Sequence, residues 1–532
     1  MLSVSPSLLP TAVAATLVAV NVPLVAPAAQ AYVALMTGQR ARPLQGVFNN
    51  VPVLHSNQPE EVEGPGILIS TESGVNYASE TRQPLANAAY TFNGEFGMHL
   101  HHKYFPPYRR SINPNERRTE LTLAAILINP GTRPVHIRFA KGAVRNSFEA
   151  PYLANNLLGV KPLGPRPWNT GPGDATAVQM LRGRLDSRLS DEITIPPRSR
   201  IVLFQTALPA LGIANALLRG HSDGPFQIAV VAARNPNSDA DILAVLDSRT
   251  LAPGRVYLNR IHEIHNRRVF SRVGGVALGD EYRATLTHDL TSQGALHVPF
   301  TSTPRHHFGT HENQVNPLAT RMLDSSLDNI GTYGVRFDVD LNLKGNGPYE
   351  LVISHPATTS GRDFVAFRGS LQIRTEEGLQ EVHVGLRSGH SLSLAALNLT
   401  PGRIHPVRVS MVYPADATPG HLLSVVPATQ LAQLQERERR VALARSGATP
   451  QVTPDAPPQP PPAAPLPAAP PYAAARDTPL IPPALVRTPE PPPWSDPAVV
   501  LPVPGQGNNG VIERYRDAIE AQQQLMRGWT QP

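Results

Sequence analysis

A chain of 532 residues with 57 Pro, 39 Gly and no Cys is long enough for two ordinary domains and a tail, and no disulfide framework holds it together. Its formal charge of +6 is spread out: nine Arg balance nine acidic residues from Thr429 to Pro532, and upstream the basic residues form only short runs such as Arg109-Arg110, Arg117-Arg118 and Arg267-Arg268. There is no basic arm, so nucleic acid is excluded as a partner. Only four of the 47 basic residues are Lys (Lys103, Lys141, Lys161 and Lys344).

The first 31 residues read as a secretory signal peptide. An apolar stretch from Leu8 to Val25 precedes Ala28-Ala29-Gln30-Ala31, where Ala29 and Ala31 fit the small-residue rule for cleavage after Ala31. The alternative is an uncleaved membrane anchor, which needs about 20 apolar residues without helix breakers, and Pro10, Pro23 and Pro27 argue against it. No later segment is apolar for long enough to span a bilayer, so no transmembrane span is expected in the mature chain. The expected location is the periplasm or cell surface, and the absence of Cys fits an oxidising compartment.

From residue 32 to 427 short strand patterns alternate with turn residues. Leu121 to Ile128 is followed by the turn Asn129-Pro130-Gly131-Thr132 and by Val135 to Phe139. Arg200 to Gln205 and Phe226 to Ala232 are further β-type runs. Pro253 to Arg268 is a polar connector. In Tyr333 to Leu343, Val335, Phe337, Val339, Leu341 and Leu343 share one face and Arg336, Asp338, Asp340 and Asn342 the other, the period of a half-buried strand. Gly345-Asn346-Gly347-Pro348 then predicts a hairpin with Tyr349 to Ser354. Phe364 to Arg374, Glu381 to Leu386 and Val407 to Val412 complete the series.

This spacing predicts an all-β fold of two β-sandwich-like domains with mainly antiparallel strands, residues 32–265 and 266–427. Residues 428–447 read as a helix ending at Gly447. Residues 448–507 read as a Pro-rich disordered linker, with 21 Pro between Pro450 and Pro504, too poor in large apolar side chains to form a core. At roughly 3.1 Å per residue its stiffer parts reach on the order of 100 Å. Residues 508–532 read as a short amphipathic helix, Ile512, Tyr515, Ile519, Met526 and Trp529 keeping helical spacing, which either docks on a partner or frays.

Four motifs invite a catalytic or metal reading. Gly220-His221-Ser222-Asp223-Gly224 matches the G-x-S-x-G nucleophile elbow, but that chemistry needs a helix after the Ser. Here Pro225 and a strand-like run follow, so an inter-strand turn is expected. His262-Glu263-Ile264-His265 is one residue short of the zinc-protease spacing H-E-x-x-H and reads as a solvated loop. Met98 to His102, as a strand, places His99 and His101 on one face and His102 on the other. His306, His307 and His311 lie in a predicted loop. His99, His101, His306, His307 and His311 are therefore the metal candidates, since neutral imidazole is a common ligand. No local carboxylate completes either set, and the alternative is hydrogen-bonded surface or packing His.

The body resembles the cyanobacterial family of domain of unknown function 3370. The resemblance is carried, in order, by Asn129-Pro130-Gly131 with Arg133-Pro134-Val135, Arg272 to Gly279 (RVGGVALG), Tyr333-Gly334-Val335, Phe367-Arg368-Gly369 and Tyr413 to Pro419 (YPADATP). It covers roughly Pro43 to Val426 and implies an exported protein with no assigned activity or catalytic residues.

Two readings follow. The first is a non-enzymatic envelope protein with a binding or structural role, its loops meeting peptidoglycan, envelope polysaccharide or envelope proteins; no cofactor is expected. The second is a metal-binding protein or metal-dependent envelope enzyme that holds a transition metal with the clustered His.

Overall fold

The structure is a computed structural model that describes residues 40–446, apart from 60, 114–117, 153–157, 166–169, 267–271, 305, 357–363 and 416. The proposed signal peptide, Pro-rich linker and C-terminal amphipathic helix lie outside the described residues. The fold is β-rich, 51% strand and 12% helix, with several mainly antiparallel sheets. The helix expected at 428–447 is present as Ala428–Ser446.

The largest sheet has the long strand Ile213–Arg234 as its spine. Over its first half this strand pairs with Phe92–Tyr104 on one edge and Val135–Asn146 on the other. Over its second half it pairs instead with Gly66–Ser70 and Thr119–Asn129. The exchange occurs at the irregularity between Ser222 and Phe226, where Asp223-Gly224-Pro225 breaks the ladder; Pro lacks the N–H a ladder needs. A strand that changes partners at a bulge turns a corner between layers. The layers enclose a core built from Phe92, Phe96, Phe226, Leu127, Ile228 and Val231, among others.

A second sheet runs in the order Val47–Phe48, Glu281–Asp289, Arg336–Lys344, His405–Val412, Val365–Thr375, Gly378–Arg387, Gly159–Pro162. A third holds Leu296–Phe300, His421–Pro427, Gly347–Ser354 and Ser391–Leu399. Between them lies a second core that includes Phe300, Phe337, Leu341, Leu351, Phe367 and Met411. As the alternation predicts, Phe337, Val339, Leu341 and Leu343 are all buried. The hairpin expected at Gly345 to Pro348 does not form. Arg336–Lys344 pairs with Glu281–Asp289 and His405–Val412, whereas Gly347–Ser354 pairs with Ser391–Leu399 and His421–Pro427. The turn carries the chain from one layer to the facing one, because both strands bury one face in the same core.

The two cores are tied together by chain crossings. Val47–Phe48 pairs with Glu281–Asp289, and Pro52–Ser56 pairs with Gly274–Leu278. Gly159–Pro162 pairs with Gly378–Arg387. The helix Pro172–Leu181, with Pro at its first turn, is buried nearly all round. It packs on Val135–Asn146 and Ile213–Arg234 on one side and on Val365–Thr375 and His405–Val412 on the other. Ala177, Met180 and Leu181 meet Leu217 of the first body and Val412 of the second. No helix among the described residues is long and apolar enough to cross a membrane.

Candidate functional site

A cleft of about 250 Å³ opens at the seam of the two cores, lined by Glu95, Lys141, Arg219, Asp280, Glu281 and Arg336 over an apolar floor that includes Met180 and Val412. Lys141 is placed by a local irregularity. In the pairing of Val135–Asn146 with Ile213–Arg234, Arg219 faces Lys141 and Gly220 faces Phe139, so Ala140 is the extra residue of a bulge that re-aims Lys141. Gly142 closes the bulge at a φ of +137° with its α-carbon so near the spine strand that a Cβ would lie 2.2 Å from the Leu217 carbonyl oxygen. From the second core, Glu281 and Arg336 begin two parallel strands and sit opposite one another.

Most of these charges neutralise one another. Arg219 donates to Asp280 and, at 3.0 Å, to Glu95. Arg336 Nε donates to Asp338 at 2.8 Å and lies 3.8 Å from Glu281. Burial raises the Glu281 carboxyl above the usual range, and Asp338, hydrogen-bonded to it, adds to the rise. The Asp338 carboxyl is itself held down to about 2 by Arg336, Glu281 and Ser410, against the effect of burial. Lys141 is different. Among the described residues it forms no salt bridge, and burial, helped by Arg336 and Arg219 and opposed by the nearby Asp280 and Glu281, lowers its ammonium below the usual lysine value. A desolvated cation with no direct ion pair gains from an anion that comes within reach.

The metal candidates occupy three separate places. His99 and His101 lie on the buried strand Phe92–Tyr104. Nδ1 of His99 is 3.3 Å from Nδ1 of His55, His101 meets the Asn215 amide at 2.9 Å, and His102 meets Ser56 Oγ at 2.9 Å and the Pro59 carbonyl at 2.9 Å. This histidine group is interior packing, knitted by hydrogen bonds. His307 and His311 stack with ring centres 4.6 Å apart on the surface turn. His306 packs over Gly420. Among the described residues no group of three or more His, Asp or Glu side chains is placed so that it could hold a metal ion.

The two remaining motifs are corrected. Ser222 is neither an elbow nor a turn residue; it is buried within the spine strand, where its Oγ accepts from the Gly94 N–H at 3.1 Å. His262 to His265 belong to a single helical turn, Ile261–His265, rather than a loop. Sequence reading missed the cleft, whose charged members lie up to 241 residues apart (Glu95 to Arg336). The signal within reach was Lys141, one of four lysines, directly before a Gly in a β run.

A family model described as "Protein of unknown function (DUF3370)" matches residues 39–427. No curated protein gives a significant match. Among solved structures, that of a Paenibacillus xanthan lyase is similar at 9% identity with a TM-score of 0.12, covering 70% of this chain and 27% of that one. The chain thus spans about a quarter of that protein's length, and so low a score carries no argument about fold or activity.

Proposed function

The chain belongs to the DUF3370 family of proteins of unknown function, and from that premise we propose that it is an exported cell-envelope protein that binds a carboxylate-bearing envelope glycan in the seam cleft without transforming it. The observation that carries this reading is the contrast within the cleft. Arg219 and Arg336 are locked to carboxylates, while Lys141 presents a half-buried ammonium with no salt bridge among the described residues. Locked pairs give a rigid, polar wall that fixes shape, and a free cation supplies the point of attraction for an acidic group. Peptidoglycan stems and acidic envelope polysaccharides carry such groups. Export is supported by the signal-peptide pattern of residues 1–31.

Two measurements test the proposal. The mature protein is expected to co-sediment with peptidoglycan or with acidic envelope polysaccharide, and Lys141→Met to lose that binding while remaining folded. Undiminished binding by Lys141→Met removes the cleft from the account. The N-terminus of the cellular protein is expected at Tyr32 in an extracytoplasmic fraction; a cytosolic protein still starting at Met1 defeats the export reading.

A further inference from the structure

Three cations line the seam cleft, Lys141, Arg219 and Arg336, and three carboxylates, Glu95, Asp280 and Glu281. The wall is therefore neutral as a whole, and a ligand that brings only negative charge leaves it unbalanced. Within the wall the pairing is uneven. Arg219 serves two carboxylates, Asp280 and, at 2.9 Å, Glu95. Arg336 is turned to Asp338 at 2.8 Å, and Glu281 is met from outside by Arg283 at 2.8 Å. One cation, Lys141, is thus left without an ion pair among the described residues, and one carboxylate is in excess at Arg219.

The excess carboxylate is Glu95. Asp280 is 12% exposed and also accepts from the Asn49 amide at 2.7 Å, whereas the Glu95 side chain is 55% exposed and its other oxygen lies 3.2 Å from the exposed His221 ring. The sheet puts the two odd charges on opposite flanks of the spine strand. Lys141 is the register partner of Arg219 on one side, and Glu95 is the register partner of His221 on the other. Two strand spacings separate their backbones, roughly 10 Å in all. The floor between is the apolar Met180 and Val412. At about 250 Å³ the cleft is smaller than the roughly 300–1,000 Å³ of pockets that enclose drug-sized ligands. It holds one terminal group, not a run of sugars.

We infer that the group bound in this cleft is a zwitterionic amino-acid head, its carboxylate on Lys141 and its ammonium on Glu95, with its carbon chain over Met180 and Val412. The inference rests on the reading of the cleft as a carboxylate-binding site and narrows it. A zwitterion answers both odd charges and keeps the wall neutral. A uronate meets Lys141 but also the carboxylates around it, and a plain amine meets Glu95 but also Lys141. Amino-acid heads are carried by free amino acids in solution and by un-cross-linked diamino-diacid residues of wall peptide stems. In this arrangement Lys141 supplies attraction for the carboxylate, and Glu95 sets the preference for a ligand that also bears an ammonium.

Binding to the full-length chain is measured by calorimetry with four probes: an N-terminally blocked wall-stem tripeptide ending in diaminopimelate, the same tripeptide acetylated on its side-chain amine, free diaminopimelate, and an oligouronate. The unmodified tripeptide is expected to bind at least about tenfold more tightly than its acetylated form or the oligouronate. Glu95→Gln is expected to bring the tripeptide down to the level of its acetylated form while the oligouronate binds equally or more tightly, a split that loss of structure does not produce. Free diaminopimelate binding as tightly as the tripeptide supports the inference with its source in solution; tighter binding of the tripeptide supports it with its source in the wall. Equal affinity for the two tripeptides overturns the inference, and so does Glu95→Gln binding all four probes as wild type does; in either case weaker binding by Lys141→Met keeps the carboxylate reading. If wild type binds none of the probes, or Lys141→Met binds them undiminished, that reading falls and the inference with it.

Discussion

Arg255 and Asp324 face each other with no side-chain exposure on either, Nη1 donating to the two carboxylate oxygens at 2.8 and 3.0 Å. Arg255 also donates to the Leu68 carbonyl at 3.0 Å, so one guanidinium joins a loop after the first core to a turn some 70 residues later. Breaking such a pair from one side leaves an uncompensated buried charge, typically worth about 3–5 kcal/mol. Asp324→Asn is therefore expected to lower the urea midpoint sharply, and the apolar double replacement Arg255→Met/Asp324→Leu to recover much of the loss. Equal midpoints for Asp324→Asn and wild type would falsify this assignment.

The interior histidines make stability fall with acid. Burial lowers His55 and His102 to about 3 and His297 to about 4, all below the ordinary value near 6.5. The unfolded chain therefore binds more protons than the folded one between pH 6.5 and those values. The stability these groups contribute is fully present above pH 6.5 and is lost as pH falls, up to about 1.4 kcal/mol per unit for each histidine. Urea midpoints measured at pH 7 and pH 5 should differ clearly, with the lower at pH 5; identical midpoints would show that these rings are not the neutral interior groups described.

Gly142 tests the construction of the cleft. Its positive φ and the 2.2 Å approach of a Cβ to the Leu217 carbonyl mean that Gly142→Ala must strain the backbone and push two strands apart. A cost of about 3 kcal/mol or more is expected, together with weaker glycan binding because Lys141 is the preceding residue. A variant as stable as wild type contradicts the bulge.

Lys141 should show the trade between stability and function. Its ammonium is desolvated, and the repulsion of Arg219 and Arg336 is set against the attraction of Asp280 and Glu281, so Lys141→Met chiefly removes the cost of a half-buried charge while keeping the stem's packing. The variant is expected to match or exceed wild-type stability by up to about 1 kcal/mol while losing ligand. A large loss of stability would instead make Lys141 a structural residue.

What the sequence disclosed follows from what is local. Alternation located Arg336–Lys344, Val365–Thr375 and His405–Val412, because each strand carries its own inside-outside pattern. It could not say which strand pairs with which, and so the turn at Gly345 looked like a hairpin although it links two sheets. The helix Pro172–Leu181 escaped notice because a helix buried on every side has no polar stripe to give it away. The Met98 to His102 run was legible as a strand with paired imidazoles, but its hydrogen bonds to Asn215 and Ser56 come from distant segments. Glu95 carries no local mark; only the pairing of Phe92–Tyr104 with Ile213–Arg234 brings it beside Arg219.

The early strands bear on how the chain is made. Gly46 donates its N–H to the Tyr282 hydroxyl across 236 residues, and Val47–Phe48 and Pro52–Ser56 find partners only in segments beyond residue 273, apart from the parallel contact of Pro52–Ser56 with Phe92–Tyr104. A ribosome or translocation pore delivers residues in order, so these edges wait until more than half of the polypeptide has emerged. Such non-local closure slows folding and leaves strand edges open to wrong pairing. The amino-terminal end of the body is thus a latch that must wait for its partners, and removing it would leave both large sheets with an unpaired border.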